Sequence, residues 1–103
     1  VIDQLKKRSR DVSVPGNREY NNGWHTALDL GNLLISAEAI TRSALLRKES
    51  RGAQFRADYP GKDKELGKVN AIVCKGADGR MEVKHEAVSP LPGHLQDVIE
   101  EMG

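Results

Sequence analysis

The sequence predicts a mainly α-helical fold in which one long helix belongs to a bundle and is followed by a β-hairpin and a short helix. Three observations predict it. Apolar residues recur every three or four positions over residues 24–48, alternate along residues 68–88 around a Gly-rich turn, and recur at helical spacing near the C-terminus. We expect one domain over residues 1–103, with the helical part over about 1–60 and the hairpin and tail over about 66–103.

The first segment, Val1 to Arg10, predicts a short helix with Ile2 and Leu5 on one face. Its basic run, Lys6–Arg10, lies where cations stabilise the negative end of the helix dipole. The same run is compatible with a nucleic-acid patch. No aromatic residue or further basic stripe accompanies it, however, and 16 basic against 15 acidic residues give the chain a net charge of only +1. We therefore interpret it as a solvated helix end and expect no nucleic-acid partner.

The long helix is predicted over Trp24 to Lys48, with Asn21 or Asn22 as its N-cap, or Thr26 followed by Asp29 as a second option. At 1.5 Å per residue it is about 37 Å long, whereas a compact domain of this size has a radius of gyration of about 13 Å. Its wide apolar arc contains many small residues, so we expect a helix on each flank. The residues expected to pack are Trp24, Leu30, Leu34, Ala37, Ile40 and Ala44.

A polar stretch follows the long helix and is rich in groups that form directional contacts. Gly52 is expected to end the helix in a left-handed conformation. Charged residues on either side of it are suited to bidentate ion pairs, which either fix the loop internally or dock it onto another surface. The candidate docking residues are Glu49, Ser50, Arg51, Gly52, Arg56 and Asp58.

The tail predicts two further elements. Alternating apolar and polar residues flank Asp78 and Gly79, which is a strong hairpin signal. Two strands alone are marginally stable, so the hairpin is expected to pack on a helix or on another domain. After two prolines, a short amphipathic helix is expected from near Gly93, with its apolar face formed by Leu95, Val98, Ile99 and Met102.

Few features of the sequence indicate chemistry. The histidines and Cys74 are too scattered for a metal site, and no phosphate-binding Gly-rich motif occurs. Cys74 and His85 lie on opposite strands of the predicted hairpin, but nothing nearby supplies an oxyanion hole, so a nucleophilic pair is not expected. With 38% hydrophobic and 4% aromatic residues, a self-sufficient enzyme with a deep pocket is not expected either.

Compartment and processing are only weakly indicated. The sequence has no apolar run that spans a membrane and no secretory signal. A single cysteine fits a reducing compartment. The chain starts at Val1 without an initiator Met, so we expect a processed chain or a piece of a longer one.

Two motifs resemble the C-terminal domain of the flavoprotein subunit of succinate dehydrogenases and fumarate reductases, to which L-aspartate oxidase is related. The resemblance extends over about Arg18 to Val88. The motifs read Tyr20-Asn21-x-Gly23-Trp24-His25-Thr26-Ala27-Leu28-Asp29-Leu30 and Glu49-Ser50-Arg51-Gly52-Ala53-x-Phe55-Arg56-x-Asp58-Tyr59-Pro60. One departure is Gln54, where many members of this family have His.

The resemblance implies a spectrin-repeat-like, three-helix up-and-down bundle followed by an extended tail, with the first helix truncated here to Val1–Arg10. It also implies a parent subunit that interconverts succinate and fumarate by hydride transfer to the flavin N5 of FAD and proton transfer by an arginine. That chemistry belongs to FAD-binding and capping domains upstream of this segment. We therefore assign no catalytic, cofactor-binding or metal-binding residue here, and expect FAD only in the parent subunit.

The partners that the resemblance implies are those upstream domains, docked through the polar stretch, and an iron–sulfur subunit that accepts the electrons. It implies a complex on the cytoplasmic face of a bacterial inner membrane, with no membrane span in this segment. A homodimer is a further possibility for the isolated domain. The alternative is an autonomous helical protein–protein interaction module without a redox role. Neither the direction of the parent reaction nor its quinone follows from the sequence.

Overall fold

The elements of the chain follow one another in an open arrangement. The computed structural model describes all of residues 1–103. Its radius of gyration is 20.0 Å and its extents are 64 × 31 × 30 Å, so the chain is more extended than a compact domain of about 13 Å. The elements are helix α1 (Ile2–Ser9), helix α2 (Asn22–Leu46), a 3₁₀ turn (Leu66–Lys68), strands β1 (Val69–Lys75) and β2 (Met81–Ala87), and helix α3 (Gly93–Met102).

Helix α2 begins as the first of the two N-cap alternatives predicts. The Asn21 side-chain oxygen accepts a hydrogen bond from the Trp24 backbone N–H at 3.2 Å. Its amide nitrogen donates to the carbonyls of Pro15 and Asn17 at 3.0 and 2.9 Å. One side chain therefore satisfies a free N–H of the helix and also fixes the connector before it. Thr26 instead donates to the Asn22 carbonyl, so it does not cap the helix.

The end of α2 differs from the prediction. The helix stops at Leu46, and Arg47 is already extended with φ −81° and ψ 102°. Gly52 does have a left-handed φ of +59°, but it lies in a separate turn that Arg51 and Gln54 close. The expectation that Gly52 ends the helix was therefore wrong. The helix ends earlier because side chains from further along the chain bond to its last carbonyls, as described below.

Helix α1 and the hairpin both contact α2, and the core between them is small. Leu34 is the single buried apolar residue, at 7% exposure, and Glu38 and Glu49 are the two buried charged residues. Among the other residues expected to pack, Trp24, Leu30, Ala37 and Ala44 are half-buried. Ile40 is 70% exposed, so it does not pack within this chain.

The hairpin forms as predicted. Its strands are antiparallel, with Val73 opposite Val83 and Lys75 opposite Met81 at the turn end. Cys74 is opposite Glu82, whereas His85 is opposite Ala71. Successive residues of a strand point to opposite faces, so Cys74 and His85 lie on different faces of the sheet and form no nucleophilic pair.

The helices of this chain do not by themselves form the expected three-helix bundle. The helical domain with a C-terminal hairpin is present, and α1 packs on α2. The hairpin, however, takes a position against α2, and α3 forms as predicted but buries none of its residues. None of the three helices is both long enough and apolar enough to cross a lipid bilayer.

The small core makes Leu34 the most sensitive position of the fold. We expect Leu34→Ala to lower the free energy of unfolding by about 2 kcal/mol, because a buried leucine side chain is lost and a cavity remains. Urea unfolding followed by circular dichroism measures the change. Leu33→Ala is the matched control, since Leu33 is 64% exposed. Equal decreases in the free energy of unfolding for the two variants would contradict the assignment of Leu34 to the core.

Candidate functional site

The residues between α2 and the hairpin form a tightly bonded turn region, which we call the arginine corner (residues 47–63). Arg51 and Gln54 close its first turn through reciprocal backbone hydrogen bonds of 3.0 and 3.1 Å. The Ser50 hydroxyl donates to the Tyr59 carbonyl at 2.7 Å and accepts from the Arg56 N–H at 2.9 Å. The corner therefore folds back on itself and is not an open loop.

Glu49 lies at the centre of the corner, with its side chain fully buried. The Arg51 guanidinium donates to both carboxylate oxygens, at 2.9 Å from Nε and 3.1 Å from Nη2. Arg47 forms a second ion pair with the same carboxylate, and the Asp63 backbone N–H donates to it at 2.7 Å. The hydrogen bond from Arg51, together with those from Asp63 and Arg47, outweighs desolvation and lowers the pKa of Glu49 to about 2. The carboxylate is therefore charged at neutral pH.

The two arginines around Glu49 also bond to the backbone of the following segment. Arg47 donates to the Leu66 carbonyl at 3.0 Å and to the Val69 carbonyl at 2.8 Å. Arg51 donates to the Asp63 carbonyl at 2.8 Å. Since Val69 is the first residue of β1, these contacts fix where the hairpin begins relative to the end of α2.

Arg56 bonds to the end of α2 from the other side of the corner. Its guanidinium forms a bidentate pair with Asp58, at 3.0 and 2.6 Å, and this hydrogen bonding lowers the pKa of the Asp58 carboxyl. The same guanidinium lies 4.9 Å from the centre of the Tyr59 ring. Its remaining nitrogen, Nη1, donates to helix-end carbonyls at 3.0–3.2 Å, namely those of Ala44, Leu45 and Arg47. A helix leaves its last carbonyls unpaired, and Arg56 supplies donors for them.

Gln54 completes the capping of α2. Its side-chain nitrogen donates to the Arg47 and Glu49 carbonyls at 3.1 and 3.2 Å, with a longer contact of 3.4 Å to Ala44. The residue at which this chain departs from the family pattern thus retains a defined structural role. The Gln54 side chain makes these hydrogen bonds with an amide, which does not titrate.

The structure brings together all six candidate docking residues. Their polar groups are largely used within the chain, as the internal alternative predicts. The sequence reasoning missed Arg47, Gln54 and Asp63, which complete the same network. Arg47 had one available signal, namely a cation immediately after the last helical turn. Nothing in the local pattern indicated Gln54 or Asp63, because Gln54 bonds to backbone carbonyls and Asp63 takes part through its own backbone N–H and carbonyl.

The corner exposes an aromatic ring and charged groups at its surface. No three His, Cys, Asp or Glu side chains of the chain are grouped to hold a metal ion. Phe55, by contrast, is 74% exposed on the corner, although the residues on both sides of it bond into the network. Asp58 and the outer edge of Arg51 are also accessible. The corner is therefore a rigid support that presents an aromatic ring and charged edges at its surface.

The lowered pKa of Glu49 predicts how stability depends on pH. A carboxylate whose pKa falls from 4.5 in the unfolded chain to about 2 in the folded chain contributes stability above about pH 5, and that contribution disappears as the pH falls to about 2. We expect the free energy of unfolding to decrease over this interval in the wild type. In Glu49→Gln the decrease is smaller, since only the other carboxyls with lowered pKa values, Glu38 and Asp58, still contribute. Urea titrations between pH 2 and pH 6 test this, and identical slopes for the two proteins would contradict it.

Comparison with known proteins gives a consistent family. The model of the fumarate reductase flavoprotein C-terminal family matches residues 1–96. A fumarate reductase (CoM/CoB) subunit of Methanothermobacter marburgensis is 44% identical over 59 residues, which are 57% of this chain and 11% of that protein. The fumarate reductase flavoprotein subunit of Mycobacterium tuberculosis is 36% identical over 89 residues, 85% of this chain and 15% of that protein. L-Aspartate oxidase of Halalkalibacterium halodurans is 50% identical over 62 residues, 58% of this chain and 12% of that protein.

The matched relatives are much longer than this chain, which spans between 11% and 15% of their length. No solved structure matches the chain. The family match nevertheless extends over the helices α1 and α2, the arginine corner and the whole hairpin. The chain therefore belongs to the fumarate reductase flavoprotein C-terminal family.

Proposed function

We propose that this chain is the C-terminal structural and docking domain of a flavoprotein subunit that interconverts succinate and fumarate with FAD. In this proposal the domain performs no chemistry of its own. The observation that carries it is the family match over residues 1–96, in a chain that spans no more than 15% of relatives named as fumarate reductase flavoprotein subunits. The reaction and the flavin belong to the upstream FAD-binding and capping domains.

The exposed apolar surface of α2 supports the proposal. Five large apolar side chains of this helix are more than half exposed, which is unusual for a helix surface that faces solvent. We infer that upstream residues of the parent subunit cover this surface and complete the three-helix bundle, with Ile40 among the packing residues. The exposed side chains are those of Leu28, Leu33, Ile35, Ile40 and Leu45.

The arginine corner supports a docking role by its rigidity. Because Glu49, Arg51 and Arg56 are bonded within the chain, their main function is to hold the shape of the corner. The contact with the FAD-binding and capping domains is then made by what the corner exposes: the Phe55 ring, the outer edge of Arg51 and the Asp58 carboxylate. A preformed surface loses little conformational entropy when it docks.

The other partners follow from the same proposal. The parent subunit passes electrons to an iron–sulfur subunit, and the complex lies at the cytoplasmic face of a bacterial inner membrane without a membrane span from this domain. We assign no residue of this chain to the contact with the iron–sulfur subunit or to the contact with the membrane. FAD is bound by the upstream domains.

The coding sequence before this segment tests the proposal first. We expect it to continue upstream, in frame, into a Gly-x-Gly-x-x-Gly motif between a strand and a helix, since that motif holds the pyrophosphate of FAD. The purified long polypeptide should show flavin absorbance and interconvert succinate and fumarate, whereas residues 1–103 alone should show neither. A coding sequence without such a domain would favour an autonomous interaction module.

Phe55 provides a test of the docking surface in the long polypeptide. We expect Phe55→Ser to loosen the contact between this domain and the flavin-binding part, seen as at least tenfold faster proteolysis between them. In residues 1–103 alone the same substitution should change the free energy of unfolding by less than about 0.5 kcal/mol, as is usual for exposed positions. Tyr20→Ser is the matched control, because Tyr20 is 97% exposed and lies outside the corner. Equal proteolysis of both variants would refute the assigned surface.

A further inference from the structure

A cleft that none of the preceding roles uses lies between the two packed helices and the turn end of the hairpin. It has a volume of about 940 Å³ and is lined by residues of α1, α2, β1 and β2 and of the hairpin turn. Its walls are strongly basic, since only Asp3 and Glu38 oppose the cations there. The cationic lining residues are Lys6, Lys7, Arg10, Arg42, Lys75 and Arg80.

The positive charge of this basic cleft is only partly neutralised within the chain. Glu38 pairs with Lys6 and, at 2.7 Å, with Arg42. No carboxylate of the chain pairs with Lys7 of α1, with Arg10 directly after α1, or with Lys75 of β1. Apolar side chains of α2, β1 and β2 also line the cleft, namely those of Ile35, Val73 and Met81. The cleft is therefore complementary to a segment that is both apolar and acidic.

Helix α3 has this composition and no partner. Each of its apolar side chains is exposed: Leu95, Val98, Ile99 and Met102. Its three acidic residues, Asp97, Glu100 and Glu101, lie on the other side and flanks of the helix, and no cation of the chain pairs with them. Long lysine and arginine side chains at the rim can extend along a seated helix to reach such groups.

The sizes of α3 and the basic cleft also correspond. A helix of ten residues is a cylinder about 15 Å long and about 10 Å wide, or roughly 1,200 Å³. The cleft can therefore accept most of one side of the helix. Its only buried polar side chain, that of Glu38, is already paired, so the cleft has no preformed polar anchor for a small ligand.

The linker before α3 directs the helix away from the cleft of its own chain. Strand β2 runs from the hairpin turn, where the cleft is, toward the arginine corner. The residues before Pro90 and Pro92 are Ser89 and Leu91, and a residue that precedes proline is restricted to extended conformations. Residues 88–92 therefore continue outward at about 3.1 Å per residue and do not reverse the chain.

We propose that two copies of this chain exchange their α3 helices, each seating its apolar face in the basic cleft of the other. The exchange is reciprocal, so a twofold axis closes it and no filament forms. The acidic side chains of each helix then neutralise the unpaired cations of the partner copy. This pairing uses the tail, the hairpin turn and the side of α2 that carries Ile35, Glu38 and Arg42. It leaves the other four exposed apolar side chains of α2 and the arginine corner free for the docking proposed above.

Sedimentation of residues 1–103 gives the first test. We expect a dimer in the micromolar range whose dissociation constant rises at least tenfold when NaCl is raised from 50 to 500 mM, since screening weakens contacts between charged groups. A chain that ends at Pro92 should be monomeric at the same concentrations, with the circular dichroism of α2 retained. A strictly monomeric wild type overturns the proposal, and so does a truncated chain that dimerises as tightly as the full one.

A charge exchange between two variants gives the decisive test. One variant carries Lys7→Glu and Lys75→Glu in the cleft, and the other carries Asp97→Lys and Glu101→Lys in α3. Each variant alone places like charges together and should be monomeric. In the mixture, the acidic helix of the first enters the basic cleft of the second, and the basic helix of the second enters the acidic cleft of the first. We therefore expect heterodimers from two chains that do not self-associate.

Control variants separate this exchange from a general effect of net charge and from seating of α3 in its own cleft. Lys62→Glu with Lys84→Glu changes the net charge by the same amount outside the cleft and should leave the dimer within threefold of the wild type. Combining all four cleft and helix substitutions in one chain should restore the homodimer. If that chain instead remains monomeric while its α3 is protected from proteolysis, the helix occupies its own cleft, and the exchange is refuted. A mixture that yields no heterodimer refutes it as well.

Discussion

The arrangement of the chain depends on one buried carboxylate. Glu49 is excluded from solvent directly after α2, and an isolated charge in that position would be strongly destabilising. Two guanidinium groups and a backbone N–H compensate it, and the Arg47 guanidinium also donates to the Leu66 and Val69 carbonyls at the start of the hairpin. The contacts that compensate the Glu49 charge therefore also orient the hairpin against α2. They set the position of the tail relative to the helical part.

Polar contacts have this importance because the apolar core is so small. Leu34 is the one buried apolar side chain, while five large apolar side chains of α2 remain exposed. The scarcity of aromatic residues in the sequence indicates the same shortage. The internal geometry of the domain is therefore specified mainly by ion pairs and helix caps, and the apolar side chains of α2 are left available for the covering proposed above.

Sequence patterns predicted what depends on periodicity and failed where distant groups meet. The 3.6-residue repeat located α2 to within two residues at each end, and the alternation around Gly79 located both strands. The stop at Leu46 was missed because Gln54 and Arg56 cap carbonyls about ten residues earlier in the chain, and no local propensity encodes such a contact. The motif around Arg51 predicted six docking residues that hydrogen-bond with one another and with their neighbours, and their docking role stays a prediction. The three-helix bundle stays a prediction, because within this chain α1 and the hairpin pack on α2 and the further helix would have to come from outside residues 1–103.

Charged groups fix the shape of the arginine corner, whereas apolar side chains are exposed on α2, and this difference affects how such a domain would associate. The contacts of the arginine corner are all made within the chain, so the corner has its final shape before any partner arrives. The surface of α2 is also largely preformed, because a helix fixes the relative positions of its side chains. Docking then needs to order few side chains, and burial of apolar surface is offset by little entropy. In the docking that we propose, ion pairs of the arginine corner therefore fix the geometry of the domain, and burial of the exposed apolar side chains of α2 against a neighbour supplies the affinity.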